Sequence, residues 1–269
     1  VPGRSIDDRI QLRERPLIVS DVDEVVLEFI NPFKAFLDSC GHVLLPRSFR
    51  LTGNIIDRAN EQPLAEAEVK ALLDSFYGTQ DRWQTPAAQV VETLAALSKE
   101  ADIVFLTAMP PHHAAVRRAL LDRLGLPYPL LASEEPKGPI VQNLHGGRPV
   151  PLVFVDDILR NLQSVQHHTP SCLLINLMVN AEFRALAPKP DAGIRAVADW
   201  PEAAATIRAH FEGQFSAGSH QFKSNRISGL PSLRRATMSN PAASKTVVAP
   251  TQRATDLDCL ARSIGQASR

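Results

Sequence analysis

Cysteine is scarce in this chain. The 269 residues hold three, Cys40, Cys172 and Cys259, far apart and without a CxxC spacing. Neither a disulfide framework nor a zinc site is expected from them, and a reducing, cytoplasmic setting fits best. Long apolar runs are also missing: nothing approaches the roughly 20 residues that span a bilayer, and Val1 to Pro16 is polar where a signal peptide would need an apolar core. The expectation is a protein without membrane contact. A charge excess is absent too, with 29 basic and 29 acidic residues. The balance is uneven, since Gln214 to Arg269 holds eight basic and two acidic residues and leaves 21 and 27 before it. A mildly acidic body carries no electrostatic footprint for nucleic acid.

What the chain does have is 44% hydrophobic residues arranged in short runs. Pro16–Ser20, Ala101–Thr107, Val150–Val155 and Cys172–Asn176 read as buried strands, with a weaker run at Ile194–Val197. Between them Pro86–Glu100, His112–Leu124, Ile158–His168 and Pro201–Phe211 place apolar residues at helical spacing. Strands alternating with helices predict an α/β fold, a Rossmann-like parallel sheet flanked by helices. Residues 31–85 break the rhythm, with helical patterns at Pro32–Cys40 and Leu64–Tyr77 around an irregular middle, Arg50–Asn60. They read as a small, mostly helical cap inserted into a core formed by 15–30 and 86–213. From Gln214 the composition turns to Ser, Ala, Thr and isolated basic residues, which predicts a disordered basic tail over 214–269.

The first strand ends Ser20-Asp21-Val22-Asp23-Glu24, and the third ends Phe154-Val155-Asp156-Asp157. Carboxylates do not belong in a strand core, whereas the carboxyl ends of parallel strands converge on one crevice. Four acids gathered there repel one another unless a cation joins them. Magnesium suits such a set, because it takes one or two carboxylates and completes its shell with water and phosphate oxygens. The second strand ends Leu106-Thr107-Ala108, a hydroxyl and backbone N–H groups at the start of a helix, where phosphate binds readily. Lys137 adds a positive charge. A nucleophilic aspartate, a second acid, a hydroxyl, a lysine and a metal-binding pair together make a phosphoryl-transfer set.

In this order the residues resemble the four motifs of the haloacid dehalogenase-like superfamily: Asp21-Val-Asp-Glu-Val25, Thr107, Lys137 and Asp156-Asp157. The resemblance covers about Leu17 to Phe211. It implies that Asp21 attacks phosphorus, that Asp23 serves as acid and then base, and that Thr107, Ala108 and Lys137 hold the phosphoryl oxygens. It implies Mg2+ bound by Asp21, the backbone carbonyl of Asp23 and Asp156, with Asp157 beside them. There are 83 residues between Asp23 and Thr107 but 18 between Lys137 and Asp156, so the resemblance places the cap after the first motif. The implied function is hydrolysis of a small phosphorylated metabolite. Carbon–halogen cleavage fits less well, because the superfamily's dehalogenases lack the second aspartate. The alternative from another class is a regulatory or binding protein that engages a partner through its cap and basic tail.

Each of these residues also has an ordinary reading. Thr107, Asp156 or Asp157 can cap a helix, and Lys137 can be a solvated loop charge. The pairs His112-His113 and His167-His168 occupy adjacent helical positions, which do not share a face, so no chelating pair is expected of them. Arg50, Asn54 and Arg58 in the cap are candidates to contact a substrate phosphate or polar head, though an ordinary polar loop is the favoured reading. Arg234-Arg-Ala-Thr237 looks like a basic-directed kinase site, a string that arises often by accident.

Overall fold

The computed structural model describes residues 10–224, with side chains described to residue 213. Six strands form one sheet: β1 (Leu17–Ser20), β4 (Asp102–Thr107), β5 (Leu130–Ala132), β6 (Leu152–Asp156), β7 (Leu173–Leu177) and β8 (Ile194–Val197). Their order is β5-β4-β1-β6-β7-β8, and every pairing is parallel. A parallel sheet needs cover on both faces. The alternation of strand side chains supplies it, with Ile18, Ile103, Phe105 and Val153 entering one apolar cluster and Val19, Val104, Leu106 and Phe154 the other. Helices α3 (Val90–Leu97), α4 (Ala114–Arg123), α5 (Lys137–His145), α6 (Leu159–His168), α7 (Ala181–Leu186) and α8 (Trp200–Ser224) follow the strands. From β1 the chain crosses first to β4 on one side and later to β6 on the other. The crevice beyond the carboxyl ends of β1, β4 and β6 therefore lies at a topological switch point.

Residues 31–85 are less helical than expected. Helix α1 (Ile30–Ser39) and helix α2 (Glu66–Gly78) flank an antiparallel pair, β2 (His42–Leu44) with β3 (Ile55–Asp57). Gly41, at φ 81°, reverses the chain after α1, a conformation that costs glycine little. The β-branched Val43, Ile55 and Ile56 then favour pairing. The unit's aromatic residues pack in one cluster, in which Phe33 and Phe36 meet Phe76 edge-on at 5.2 and 5.6 Å. Met109, Met178 and Phe183 from the sheet side join that cluster.

Helix α8 continues past Gln214 to Ser224, through Gly213, so the expected start of the tail falls inside a helix. The remainder of the expected tail, including Arg234 to Thr237, lies outside the described residues. No helix among the described residues is long and apolar enough to cross a membrane.

Before β1 the chain is held by Asp102, which accepts from the Arg13 backbone N–H (2.6 Å) and from Arg15 Nε (2.7 Å) and Arg13 Nε (3.1 Å). Burial raises its carboxyl pKa. The Arg13 N–H and the two guanidinium groups outweigh that effect and hold it below the ordinary value. A depressed carboxyl stabilises the fold above the unfolded-state pKa, and that stability is lost as pH falls through the folded value. Asp102→Asn is expected to cost about 1 kcal/mol near neutrality. In urea titrations the deficit should vanish once the pH drops well below 4, the ordinary aspartate range.

Candidate active site

Sheet pairing carries one residue beyond β1, because the Asp21 N–H donates to Val155 O at 2.8 Å. The chain then turns sharply, and the N–H groups of Val26 and Leu27 reach back to Val22 O at 2.9 and 2.8 Å. Glu24 takes the left-handed conformation at φ 61°, a strain of order 1–3 kcal/mol for a residue with a side chain. Its buried carboxylate offsets this. It accepts from the N–H groups of Phe29 (3.0 Å) and Ile30 (2.8 Å) at the start of α1, and from Asn180 N–H (2.6 Å). Burial raises the Glu24 pKa while these backbone donors oppose it. Glu24 thus ties the turn after β1 to the inserted unit and to the loop after β7.

Lys137, 2% exposed, opens α5. Its Nζ donates to Asp21 Oδ1 at 2.5 Å and to Asp156 Oδ2 at 2.6 Å. Gly138 permits this position: a Cβ there would collide with Ser164 O, Ser164 Oγ and His168 Nδ1 on α6. Asp156 is fully buried and also receives Ile158 N–H (2.8 Å) and Asn161 Nδ2 (3.1 and 3.2 Å). Asp21, Asp156 and Asp157 bring three carboxylate oxygens within 4.8 Å of one another. One ammonium does not neutralise three carboxylates. Although burial opposes its charge, Asp156 and Asp21 keep the Lys137 pKa above the ordinary lysine value. Burial, then the neighbouring acids, pushes Asp157 well up. Burial likewise pushes Asp21 up to about 7, against the pull of Lys137. The excess negative charge is the electrostatic condition that a hard cation relieves.

Thr107, 1% exposed at the end of β4, accepts the Met109 N–H (3.2 Å), and its Oγ1 lies 3.5 Å from Asp23 Oδ2. Thr107, Ala108 and Lys137 line one crevice with Asp21, Asp23 and Asp157. Asp156 lies behind it.

Asp23 is held by Arg117, which sequence reasoning did not single out. This guanidinium, fully buried on α4, donates from Nη2 to Asp23 Oδ1 (2.8 Å) and Oδ2 (3.1 Å). Gln84 Nε2 also donates to Asp23 Oδ1 at 2.9 Å. Arg117 is fixed in turn by Gln80 Oε1, by Gln84 Oε1 (3.2 Å) and by the Tyr77 ring, 5.8 Å away. Its Nη1 has no partner. Arg117 therefore sets the orientation of Asp23 without lining the crevice.

No family model and no curated protein matches the chain. Solved structures do. A haloacid dehalogenase-like protein from Agrobacterium tumefaciens is 17% identical, with 72% of this chain and 97% of that one covered at a TM-score of 0.48. A haloacid dehalogenase-like family hydrolase from Streptococcus pneumoniae is 14% identical, covering 72% and 99% at 0.47. The L-2-haloacid dehalogenase of Xanthobacter autotrophicus is also 14% identical, covering 71% and 98% at 0.46. Likeness at this level says nothing of activity. Sheet order and the helices between the strands make a Rossmann-like α/β fold, with Asp21, Thr107, Lys137 and Asp156 at the carboxyl ends of β1, β4 and β6 or at the start of α5.

The expectation for one histidine pair is corrected. His112 and His113 sit on a short 3-10 turn (Pro111–His113), not on a regular helix, and their ring centroids are 4.0 Å apart. Both Nε2 atoms meet Asp74 Oδ1 on α2, at 2.9 and 2.8 Å. They thus converge, and they link the inserted unit to the sheet side. His168 Nδ1 instead faces Ser164 O within α6. Asn54 is buried and donates to Ser48 and to Arg50 O, and Arg58 pairs with Asp38. Neither Asn54, Arg50 nor Arg58 lines the crevice.

Proposed function

We propose that the chain is a magnesium-dependent phosphohydrolase that cleaves a small phosphomonoester through an aspartyl-phosphate on Asp21. The observation that carries this reading is the buried set of Asp21, Asp156 and Asp157 around Lys137, at the mouth of which Asp23 is held separately by Arg117. The donor set fits magnesium: Asp21 and Asp157 from the crevice, Asp156 from behind, and the backbone carbonyl of Asp23. Bound there, the ion would offset the negative charge of carboxylates and phosphoryl oxygens.

A carboxylate oxygen of Asp21 attacks phosphorus, forming a P–O bond as the bond to the alcohol oxygen breaks. Lys137 and Thr107, with the Ala108 N–H, hold the phosphoryl oxygens. Asp23 gives its proton to the departing alcohol, then takes one from the water that hydrolyses the acyl phosphate and frees Asp21. This division of labour explains why Asp21 and Asp23 have different surroundings. The test is a magnesium-supplemented screen of phosphorylated compounds on the purified protein, with Asp21→Asn as the blank. Turnover absent from the whole panel, or equal in the blank, contradicts the proposal.

Arg117 is then a positioning residue. Arg117→Met is expected to lower kcat about tenfold to a hundredfold with little change in KM, the scale of a misplaced catalytic group. Arg117→Lys should recover part of the loss. Equal loss in both variants, with both still folded by circular dichroism, would show that the guanidinium does not act through Asp23.

A further inference from the structure

The crevice encloses about 740 Å³ of space between atoms, part of it open to solvent. Its polar lining is segregated. Asp21, Asp23, Glu24, Thr107, Lys137, Asp157 and Asn161 all lie at the carboxyl ends of β1, β4 and β6 or at the first turns of α5 and α6. Most are already engaged: Glu24 by three backbone N–H groups, Asn161 by Asp156, and Thr107 by Met109 and Asp23.

The wall contributed by the rest of the chain is different. Phe29 at the start of α1, Phe49, Leu51 and Leu73 from residues 31–85, Met178 after β7 and Phe183 on α7 form much of it. Among the described residues lining this wall, the sole polar side chain is Tyr77, whose ring packs on Phe29 and Phe76. A sugar or a nucleotide ribose carries hydroxyl groups that lose their water on entering such a site. With the Tyr77 hydroxyl alone on that wall to replace the water, the hydroxyls left unpaired are costly. An alkyl or aryl group gains from the same wall by burial.

We infer that the substrate carries its phosphate on a predominantly apolar alkyl or aryl body, which the Phe49, Leu51 and Phe183 wall receives. This rests on the phosphohydrolase reading above and narrows it to a class of substrate. The phosphate end faces Lys137 and the acids, and the body projects along the apolar wall away from them.

The test uses the full chain with magnesium and a series of non-hydrolysable monoalkyl phosphonates, from ethyl to octyl, with inorganic phosphate and a sugar phosphonate alongside, read by titration calorimetry. Affinity is expected to rise roughly two- to fourfold per added methylene until the wall is filled, the gain of burying apolar carbon. The binding heat capacity should become more negative along the series, and the sugar phosphonate should bind no better than ethyl phosphonate. Phe49→Ser should flatten the series. If phosphate and ethyl phosphonate bind but chain length has no effect, or the sugar analogue binds best, the apolar class is overturned while the phosphohydrolase reading stands. If neither phosphate nor any phosphonate binds, both fall.

Discussion

Asp21→Asn is expected to reduce turnover to background, a loss of about 10⁴-fold or more, as when other enzymes lose their nucleophile. The substitution removes the attacking oxygen and leaves an amide beside Lys137. The fold should not suffer. The Asp21 N–H pairs with Val155 O whatever the side chain, and burial already works against the charged carboxylate, pushing its pKa up to about 7. The melting temperature should therefore hold or rise while turnover disappears. A variant that melts with the wild type and still turns over at its rate would remove Asp21 from the chemistry.

Exhaustive chelation followed by dialysis is expected to abolish turnover, and added Mg2+ to restore it. The reason is electrostatic: Asp21, Asp156 and Asp157 converge within 4.8 Å, and among the described residues Lys137 alone brings an ammonium hydrogen-bonded to them. A phosphate monoester brings further negative charge to the same place, which that ammonium does not offset. Asp157→Asn should raise the Mg2+ concentration needed for half-maximal rate, because Asp157 faces the crevice while Asp156 is tied to Lys137, Ile158 and Asn161. Undiminished hydrolysis in the chelated protein would rule out the metal.

The strands and the acids were legible in the sequence for one reason. β1, β4 and β6 are short apolar runs buried on both faces, so a carboxylate at the end of such a run stands out as unexplained by packing. Arg117 sends no such signal. On an amphipathic helix an arginine reads as solvated, and it is buried here only because Asp23, Tyr77, Gln80 and Gln84 reach it from 33 or more residues away. Glu24 was hidden in the same way, since its partners are backbone N–H groups of α1 and of the loop after β7. The β2-β3 pair escaped because three-residue strands are too short to show a period of two. The convergence of His112 and His113 escaped because the rule for adjacent positions assumes a regular helix, and the chain makes a 3-10 turn there. Helix α8 runs past Gln214, because the shift in composition that marked the expected tail does not itself end a helix.

The central claim is that a phosphoryl group is transferred to Asp21, and rapid-quench labelling with intact and peptide mass spectrometry tests it most directly. Asp23→Asn is the protein to use. It keeps the nucleophile but lacks the acid and base, whose help is worth about 10² to 10⁴ in rate, so a substrate with a good leaving group should phosphorylate it faster than water clears the adduct. The account predicts one phosphoryl group per chain, mapped to Asp21, labile in hydroxylamine and absent from the Asp21→Asn, Asp23→Asn double variant. A phosphoryl group on a serine, threonine or histidine, or its persistence in the double variant, would contradict it.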